Sequence, residues 1–286
     1  MKSTIVKSYA KINIALNVLG KREDGYHELD MVMLPLKLHD SLLIEELPNK
    51  KDNFVVMDDF SYYVGHNNIV NKAINELDKH VSLCGTKFKV LIHKNIPMQA
   101  GMGGGSSNAA ATLNGINEIK KLGVPKDKLL EISKPLGCDV PFFIDCVPAR
   151  CTGVGDIITP IKVKNNYYVL IVKPEGGCST KTVYGLFDEN PNYKACNIED
   201  VIKALETGDD ELLANSIGNS LQDVSIGLVP EIGRIIKEIK SYGIKICMMT
   251  GSGSAVFGLS TDKKIIKTAA RILENRYNIE VTEVLK

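Results

Sequence analysis

Residues 97–110 have the sequence PMQAGMGGGSSNAA, and this stretch decides how the chain is interpreted. Four of the five residues from 101 to 105 are glycines, and two serines and a helix-like run follow them. Glycine lets a ligand approach the main chain closely because it has no Cβ atom. The helix start behind the loop offers unpaired N–H donors and the positive end of the helix dipole. The stretch therefore predicts an anion-binding site, most often one for phosphate.

The loop matches neither of the two common nucleotide-binding signatures. A P-loop needs a lysine followed by serine or threonine, and no lysine lies in or just after this loop. The dinucleotide fingerprint needs a third glycine where this chain has Ser106. Alternating apolar residues predict a strand over 87–93, and helical spacing predicts a helix after the loop, capped by Ser106 or Ser107. A flexible glycine turn between the two elements is the alternative interpretation.

Composition limits the class of protein. The chain has 286 residues, of which 44% are hydrophobic and 24% charged, so we expect one large globular domain or two ordinary ones. The net charge of +1 predicts no general attraction to nucleic acid or to an anionic membrane. Seven cysteines without a Cys-x-x-Cys pair favour buried thiols in a reducing cytoplasm over disulfides or a zinc knuckle. The chain start lacks a signal-peptide core, and no apolar run could span a bilayer, so we expect a cytoplasmic protein.

Hydrophobic periodicity predicts the order of the helices and strands. One long strand or a strand pair is expected over 4–18, with Lys11 and Asn13 side by side on its less apolar face. A strand-rich half gives way to an α+β half near 155–160, so we place the domains at 1–157 and 158–286. The other expected strands lie at 29–46, 157–162, 167–173 and 279–284, and the other expected helices at 68–79, 126–134, 180–187, 198–205, 209–217, 230–242 and 263–276.

Three motifs and an early lysine together resemble the GHMP small-molecule kinases. Residues 97–107 are similar to the family's Pro-x-x-x-Gly-[Leu]-Gly-[Ser/Gly]-[Ser/Gly]-Ser loop, with Met102 where leucine is usual. Residues 250–254 resemble the family's Gly-[Ser/Thr]-Gly cluster near the C-terminus. The resemblance extends in motif order over essentially the whole chain.

Further motifs resemble one branch of the family, which acts on a cytidine diphosphate ester of methylerythritol. Ala10-Lys11-Ile12-Asn13 and Asp24-Gly25-Tyr26-His27-Glu28-Leu29 follow the pattern of this branch. Gly137-Cys138-Asp139-Val140-Pro141-Phe142-Phe143 follows it too, with Cys138 where serine is common. The Gly-Tyr-His-Glu-Leu element is the specific part, because a glycine-rich loop alone is a weak signal.

The resemblance implies a fold and a reaction. The implied fold is α+β: a ribosomal-protein-S5-like ATP-binding domain at 1–157 and a ferredoxin-like substrate domain at 158–286, with the site in the cleft between them. The implied reaction is phosphorylation of the 2-hydroxyl of the cytidylyl methylerythritol by ATP with Mg²⁺, a step of the non-mevalonate isoprenoid pathway. The expected partners are ATP and this small molecule, and the chain is expected to be a monomer or homodimer that binds no nucleic acid and no membrane.

The resemblance also implies which residues act. The resemblance implies that Lys11 and Asp139 are catalytic, with Asp139 as the base or orienting group for the substrate hydroxyl. A buried salt bridge or a helix cap is the alternative interpretation of Asp139. The protein ligands of Mg²⁺ stay open. The residues implied to hold the ATP phosphates are Pro97, Gly101, Met102, Gly103, Gly104, Gly105, Ser106, Ser107 and Asn108. The residues implied to contact the substrate are Asn13, Tyr26, His27, Thr180, Tyr184, Gly251, Ser252 and Gly253.

Several alternatives stay open at this point. Tyr26 and His27 also fit an exposed strand end, and residues 251–254 also fit a tight turn between strands. Another kinase of the family, for homoserine or mevalonate, is disfavoured by the Gly25-Tyr26-His27 element. A catalytically silent sensor of sugar and ATP would be favoured by damage to the glycine loop or to Lys11 and Asp139, and all of these are intact. A general nucleotide-binding module is disfavoured by the substrate-side motifs.

Overall fold

The computed structural model describes residues 2–48, 50–58, 65, 67–191 and 195–286 as an α+β protein with two compact units. Unit 1 contains Met1–Ala10, Leu38–Ile96 and Gly103–Cys146, and unit 2 contains the rest, Lys11–Lys37, Pro97–Met102 and Val147–Lys286. The units are therefore interleaved along the sequence. These units consist of several chain segments each, whereas the predicted domains are the single ranges 1–157 and 158–286. The domain boundary at residue 157 stays a prediction.

Unit 1 is built from four strands that are neighbours in one sheet and from helices packed with them. The strands are the N-terminal part of β1 (Ser3–Lys21), the C-terminal part of β2 (His27–Leu47), β3 (Phe54–Met57) and β4 (Lys87–His93). β4 pairs antiparallel with β2 and parallel with β3. Along β4, Phe88, Val90 and Ile92 are buried, which confirms the predicted alternation. The helices are α1 (Ile69–His80), α2 (Gly104–Lys120), α3 (Lys126–Ser133) and α4 (Val140–Asp145).

Unit 2 contains a four-stranded antiparallel sheet. Its strands are β7 (Tyr168–Lys173), β9 (Ile246–Met249), β10 (Val256–Ser260) and β11 (Asn278–Glu283), in the spatial order β11-β7-β10-β9. When these four strands are numbered along the chain, their spatial order is 4-1-3-2. The helix α9 (Glu231–Ser241) precedes β9, and α10 (Lys263–Leu273) precedes β11. This arrangement confirms the predicted ferredoxin-like fold. The other elements are β5 (Ala149–Gly153), β6 (Ile157–Pro160), β8 (Gly218–Asn219), α5 (Thr180–Glu189), α6 (Ile198–Thr207), α7 (Asp210–Ser216) and α8 (Gln222–Leu228).

The structure corrects the predicted start of α2. Gly103, with φ +70°, occupies the cap position, and no side chain caps this helix in the described part of the chain. The predicted cap by Ser106 or Ser107 is therefore wrong. The Ser107 hydroxyl is buried and accepts a hydrogen bond from the Ser8 hydroxyl at 2.7 Å instead. A left-handed backbone at the cap suits glycine, which explains one glycine of the loop without reference to a ligand.

Most predicted elements are present, and β1 is one long strand rather than a pair. Short elements were missed, namely β3, β5, β8, α4 and α8, because two to seven residues carry too little periodicity to be recognised. No helix in the described ranges combines the length and the apolar character needed to cross a bilayer.

Candidate active site

The two glycine clusters contact each other through their backbones inside unit 2. Gly101 has φ +72°, and a Cβ atom added there would lie 2.3 Å from the carbonyl oxygen of Thr250. A Cβ added to Gly251 would lie 3.0 Å from the carbonyl oxygen of Gly101. Contacts below 3.0 Å are essentially forbidden to real Cβ atoms, so the close approach requires glycine at 101. The predicted loop and the predicted C-terminal cluster thus form one packed feature.

Strand β1 holds both loops through its backbone. The amide of Lys11 donates to the carbonyl of Met102 at 3.1 Å, and the amide of Asn13 donates to the Thr250 hydroxyl at 3.0 Å. The Lys11 ammonium donates to the amide oxygen of Asn13, and the two residues are 3% and 1% exposed. Their predicted adjacency is confirmed. A buried ammonium is costly, and ionisable groups held in such places are candidates for function.

The C-terminal cluster is fixed by side chains from two helices and a strand, α8, α5 and β8. The carbonyl of Gly251 accepts from Asn219 at 2.8 Å, and the carbonyl of Ser252 accepts from the Ser225 hydroxyl at 3.1 Å. The hydroxyls of Ser252 and Thr180 lie 2.9 Å apart, so the structure brings together two predicted substrate residues. Asn219 and Ser225 belong to no recognised motif, so sequence reasoning missed both of them.

Gly253, which is also implied to contact the substrate, is closely packed within unit 2. Its φ is +89°, and an added Cβ would lie 2.8 Å from the sulfur of Met249. Pro97 belongs to the same unit and is partly buried. The predicted tight turn is therefore present at 250–253, where the amide of Gly253 donates to the carbonyl of Thr250 at 3.0 Å. A turn and a substrate-side role are compatible.

Two of the three predicted base-contact residues, His27 and Tyr184, contact each other, and His27 also contacts a carboxylate that sequence reasoning missed. The Nε2 atom of His27 lies 2.7 Å from Asp188 Oδ1, and the Lys21 ammonium lies 2.6 Å from Asp188 Oδ2. The His27 and Tyr184 rings are 4.6 Å apart between centroids, and the Tyr26 side chain is 57% exposed. Hydrogen bonds from Lys21, and then from His27, lower the pKa of the Asp188 carboxyl. An ionised carboxylate only accepts hydrogen bonds, so the Nε2 atom of His27 carries its proton.

The first turn of α2 in unit 1 presents main-chain donors. The amides of Gly104, Gly105 and Ser106 precede the first intrahelical bond, which runs from the Ser107 amide to the Gly103 carbonyl at 2.8 Å. A Cβ added to Gly105 would meet nothing closer than Ile69 Cγ2 at 3.9 Å. Protein packing therefore leaves room for a side chain at 105.

Asn108, also predicted to bind the nucleotide, directs its amide group into the protein. Its Nδ2 atom donates to the Ser8 hydroxyl at 2.8 Å and to Asp40 Oδ2 at 2.9 Å. Asn108 is 3% exposed. These bonds link α2 to β1 and β2 and hold the helix that carries the glycine loop.

Asp139 is the residue directly before α4 in unit 1 and is partly buried. In the described chain its side chain makes no capping bond to this helix, so the helix-cap interpretation is wrong. Lys11 belongs to unit 2, and its predicted pairing with Asp139 stays a prediction. Within the described ranges, no three His, Cys, Asp or Glu side chains are grouped to hold a metal ion.

Comparison with family models gives two matches. The model described as the GHMP kinases N terminal domain matches residues 68–145, and the model described as GHMP kinases C terminal matches residues 201–279. The first covers α1 to α4, and the second runs from α6 into β11. The resemblance inferred from motifs is thus confirmed at the level of the family.

Curated relatives give a finer similarity. The chain is 37% identical over 274 residues to the 4-diphosphocytidyl-2-C-methyl-D-erythritol kinase of Caldicellulosiruptor bescii, covering 93% of each chain. It is 37% identical over 260 residues to the enzyme of that name from Bacillus cereus, covering 89% of this chain and 87% of the relative.

Solved structures agree with the curated relatives. A crystal structure of a 4-(cytidine 5'-diphospho)-2C-methyl-D-erythritol kinase superposes with a TM-score of 0.83 at 27% identity, covering 99% of this chain and 100% of the other. A homoserine kinase from Cytophaga hutchinsonii superposes with a TM-score of 0.77 at 15% identity, covering 100% and 95%, and shows the fold alone. The predicted two-domain α+β fold is confirmed.

Proposed function

We propose, because this chain belongs to the GHMP kinases and among them to the 4-diphosphocytidyl-2-C-methyl-D-erythritol kinases, that it phosphorylates the 2-hydroxyl of 4-diphosphocytidyl-2-C-methyl-D-erythritol. ATP is the phosphoryl donor, and the products are the 2-phosphate and ADP. The reaction is a step of the non-mevalonate isoprenoid pathway. The observation that carries the proposal is 37% identity across 93% of this chain and of a relative bearing that name.

The glycine loop and the first turn of α2 bind the ATP phosphates in this proposal. Gly105 is exposed and Gly104 and Ser106 are partly exposed, and their amides point from a helix N-terminus, where the dipole favours an anion. One such contact contributes about 0.3–1 kcal/mol when exposed and up to ~2 kcal/mol when partly buried, so several donors must converge. Gly101, Met102 and the residues around them shape the loop.

Mg²⁺ accompanies ATP in the proposed reaction. This cation keeps several waters and takes phosphate oxygens with only one or two protein oxygens, so it needs no dedicated carboxylate cluster. The Ser106 hydroxyl, on the first turn of α2, fits that limited demand. When bound, Mg²⁺ neutralises charge on the phosphates.

Lys11 and Asp139 carry the chemistry in the proposal. The 2-hydroxyl is a tertiary alcohol, because C2 also bears the methyl group, so it is crowded and weakly acidic. Asp139 orients this hydroxyl and accepts its proton as the bond to phosphorus forms. Lys11 offers a fixed positive charge to the transferring phosphoryl group, whose loose transition state depends mainly on positioning and electrostatics.

Substrate recognition is assigned to residues of unit 2. Tyr26 and Tyr184 stack on the cytosine, a kind of contact worth about 1–3 kcal/mol per base in nucleic-acid complexes. His27, held by Asp188, hydrogen-bonds the base edge. Asn13 contacts the methylerythritol. Thr180 and residues 251–253 lie on the diphosphate side, and the hydroxyl contact of Thr180 with Ser252 supports a shared role.

The domain roles, location and assembly complete the proposal. The ATP-binding domain is placed at 1–157 and the substrate domain at 158–286, which the two family matches on either side of residue 157 support. None of the seven cysteines, all of which lie in the described ranges, forms a disulfide, which fits the proposed cytoplasmic location. The chain acts as a monomer or homodimer.

Release of ADP with three alcohols tests the proposal. Purified protein is supplied with ATP and Mg²⁺ and with the cytidylyl methylerythritol, homoserine or mevalonate. We expect turnover with the cytidylyl compound only, and Asp139→Ala should lose turnover by about 10²-fold or more while it still binds ATP. Asp145→Asn, at the far end of the short helix that Asp139 precedes and paired with Lys126, is the matched control and should retain turnover. Turnover with mevalonate or homoserine instead of the cytidylyl compound would overturn the assignment.

A further inference from the structure

A buried carboxylate in unit 1 organises the start of α2. Asp40, on β2, is 0% exposed. Its Oδ1 atom accepts from the backbone amides of Asn95 and Ile96, each at 2.8 Å. Its Oδ2 atom accepts from the Asn108 side chain at 2.9 Å and from the Lys94 ammonium. Four donors thus converge on one carboxylate, three of them from the segment between β4 and the glycine loop.

The Lys94 ammonium lies beside the positive end of a helix. A Cβ atom added to Gly104, the first residue of α2, would be 3.2 Å from Lys94 Nζ. Cations are favoured at helix C-termini and disfavoured at N-termini, so this position is unfavourable for lysine alone. The side chain of Lys94 is 19% exposed, whereas the carboxylate that holds it is fully buried. The cation is therefore the outward-facing member of the pair, next to the amides of the first turn.

We propose that Asp40 is a positioning residue of the ATP phosphate site. It fixes the Lys94 ammonium beside the first turn of α2, and through Asn108 it fixes the helix itself, so that the cation and the amides face the phosphates together. The inference rests on the proposed function in one respect, the assignment of the ATP phosphates to the glycine loop. Asp40, a buried charge that the proposed chemistry does not otherwise use, thus acts within the same site.

A purely structural role is the competing explanation. Asp40 could brace β2, β4 and α2 as a core ion pair with no link to the nucleotide. Removing one partner of a buried pair is destabilising in either case, so stability alone does not separate the two explanations. They differ in ligand selectivity, because a misplaced cation weakens binding of phosphates and leaves binding of an uncharged nucleoside unchanged.

Equilibrium binding to three probes makes the distinction. ATP, inorganic tripolyphosphate and adenosine are titrated by calorimetry into the wild type, Asp40→Asn and Lys94→Met. We expect affinity for ATP and tripolyphosphate to fall about tenfold in each variant, the size associated with a charge-assisted hydrogen bond, with adenosine unchanged. The double variant should lose little more than either single one, because both act on one cation. Asp210→Asn, which removes a carboxylate bonded to Tyr167 and Asn165, is the control and should leave all three affinities unchanged.

The possible results distinguish a failure of the positioning role of Asp40 from a failure of the proposed function. An equal loss for adenosine and tripolyphosphate, or unchanged ATP affinity in the folded variants, would overturn the positioning role. If Asp40→Asn does not fold, Lys94→Met alone decides by the same comparison. If the wild type binds ATP but releases no ADP with the cytidylyl compound, the proposed function fails while the binding comparison still tests Asp40.

Discussion

Gly101 and Gly105 belong to one glycine-rich run, but their surroundings differ. Gly101 packs against Thr250, with no space for a Cβ, whereas at Gly105 an added Cβ meets nothing closer than 3.9 Å. The first glycine is thus required by contact between two protein backbones. The second is not required by the protein, so a close ligand is its best explanation. A glycine-rich loop therefore combines positions needed for folding with positions needed for binding.

The largest expected effect is a loss of stability when Gly101, the closely packed glycine, is replaced. Gly101→Ala places a methyl group 2.3 Å from a carbonyl oxygen, at a φ of +72°. Gly123→Ala is the matched control, because Gly123 has a φ of +65° and open space around it. We expect Gly101→Ala to lower the free energy of unfolding by about 1–3 kcal/mol more than the control, the usual cost of overpacking. Denaturant unfolding measures both, and equal losses would mean that the loops do not pack this closely.

The next largest effect is a loss of ATP affinity when Gly105, the glycine with open space around it, is replaced. Gly105→Ala lies inside a helix with room for its methyl group, so the free energy of unfolding should rise by up to about 1 kcal/mol. ATP affinity should nevertheless fall about tenfold, because the methyl group occupies space that the phosphates need. Gly185→Ala, also in a helix and with nothing within 4 Å, should give a similar gain in stability and unchanged ATP affinity. If Gly105→Ala binds ATP as tightly as the wild type, a close ligand does not explain the glycine at 105.

The smallest effect concerns the contacts of Asp188 with the exposed Lys21 and with the largely buried His27. Asp188→Asn should raise the KM for the cytidylyl substrate several-fold and leave the KM for ATP unchanged, because it removes the anchor of the His27 ring. Its cost in stability should be about 0.2–1 kcal/mol, the range for pairs that solvent screens.

The pH dependence of that cost has a definite sign. Lys21 and His27 hold the pKa of folded Asp188 below its ordinary value of 3.8. The contribution to stability is therefore complete above the unfolded pKa and is lost as pH falls through the folded one. The stability difference between wild type and Asp188→Asn should be largest near neutrality and shrink below about pH 3.8. A difference that grows on acidification would contradict this account of Asp188.

Local patterns in the sequence were enough to find the framework of the site. Alternation with a period of two placed Lys11 and Asn13 on one face of β1, where they are hydrogen-bonded. The same period identified β4, and the glycine loop marked the start of α2. These features depend on neighbours in the chain, so a single sequence contains the information.

Contacts between distant residues could not be found in this way. His27 and Asp188 are 161 residues apart, and Asn13 and Thr250 are 237 apart. A periodic pattern says which face of an element is buried but not which distant side chain completes it. The cap of α2 was missed for a related reason: Ser106 and Ser107 fit the preference for hydroxyl caps, but the left-handed backbone at Gly103 took that position.

The most direct test locates the transferred phosphate. Protein, ATP and 4-diphosphocytidyl-2-C-methyl-D-erythritol are incubated, and the product is examined by phosphorus and carbon NMR. We expect one new phosphomonoester, with phosphorus coupling to the quaternary carbon that bears the methyl group. A phosphate on a secondary or primary hydroxyl, or consumption of ATP without a new phosphomonoester, would contradict it.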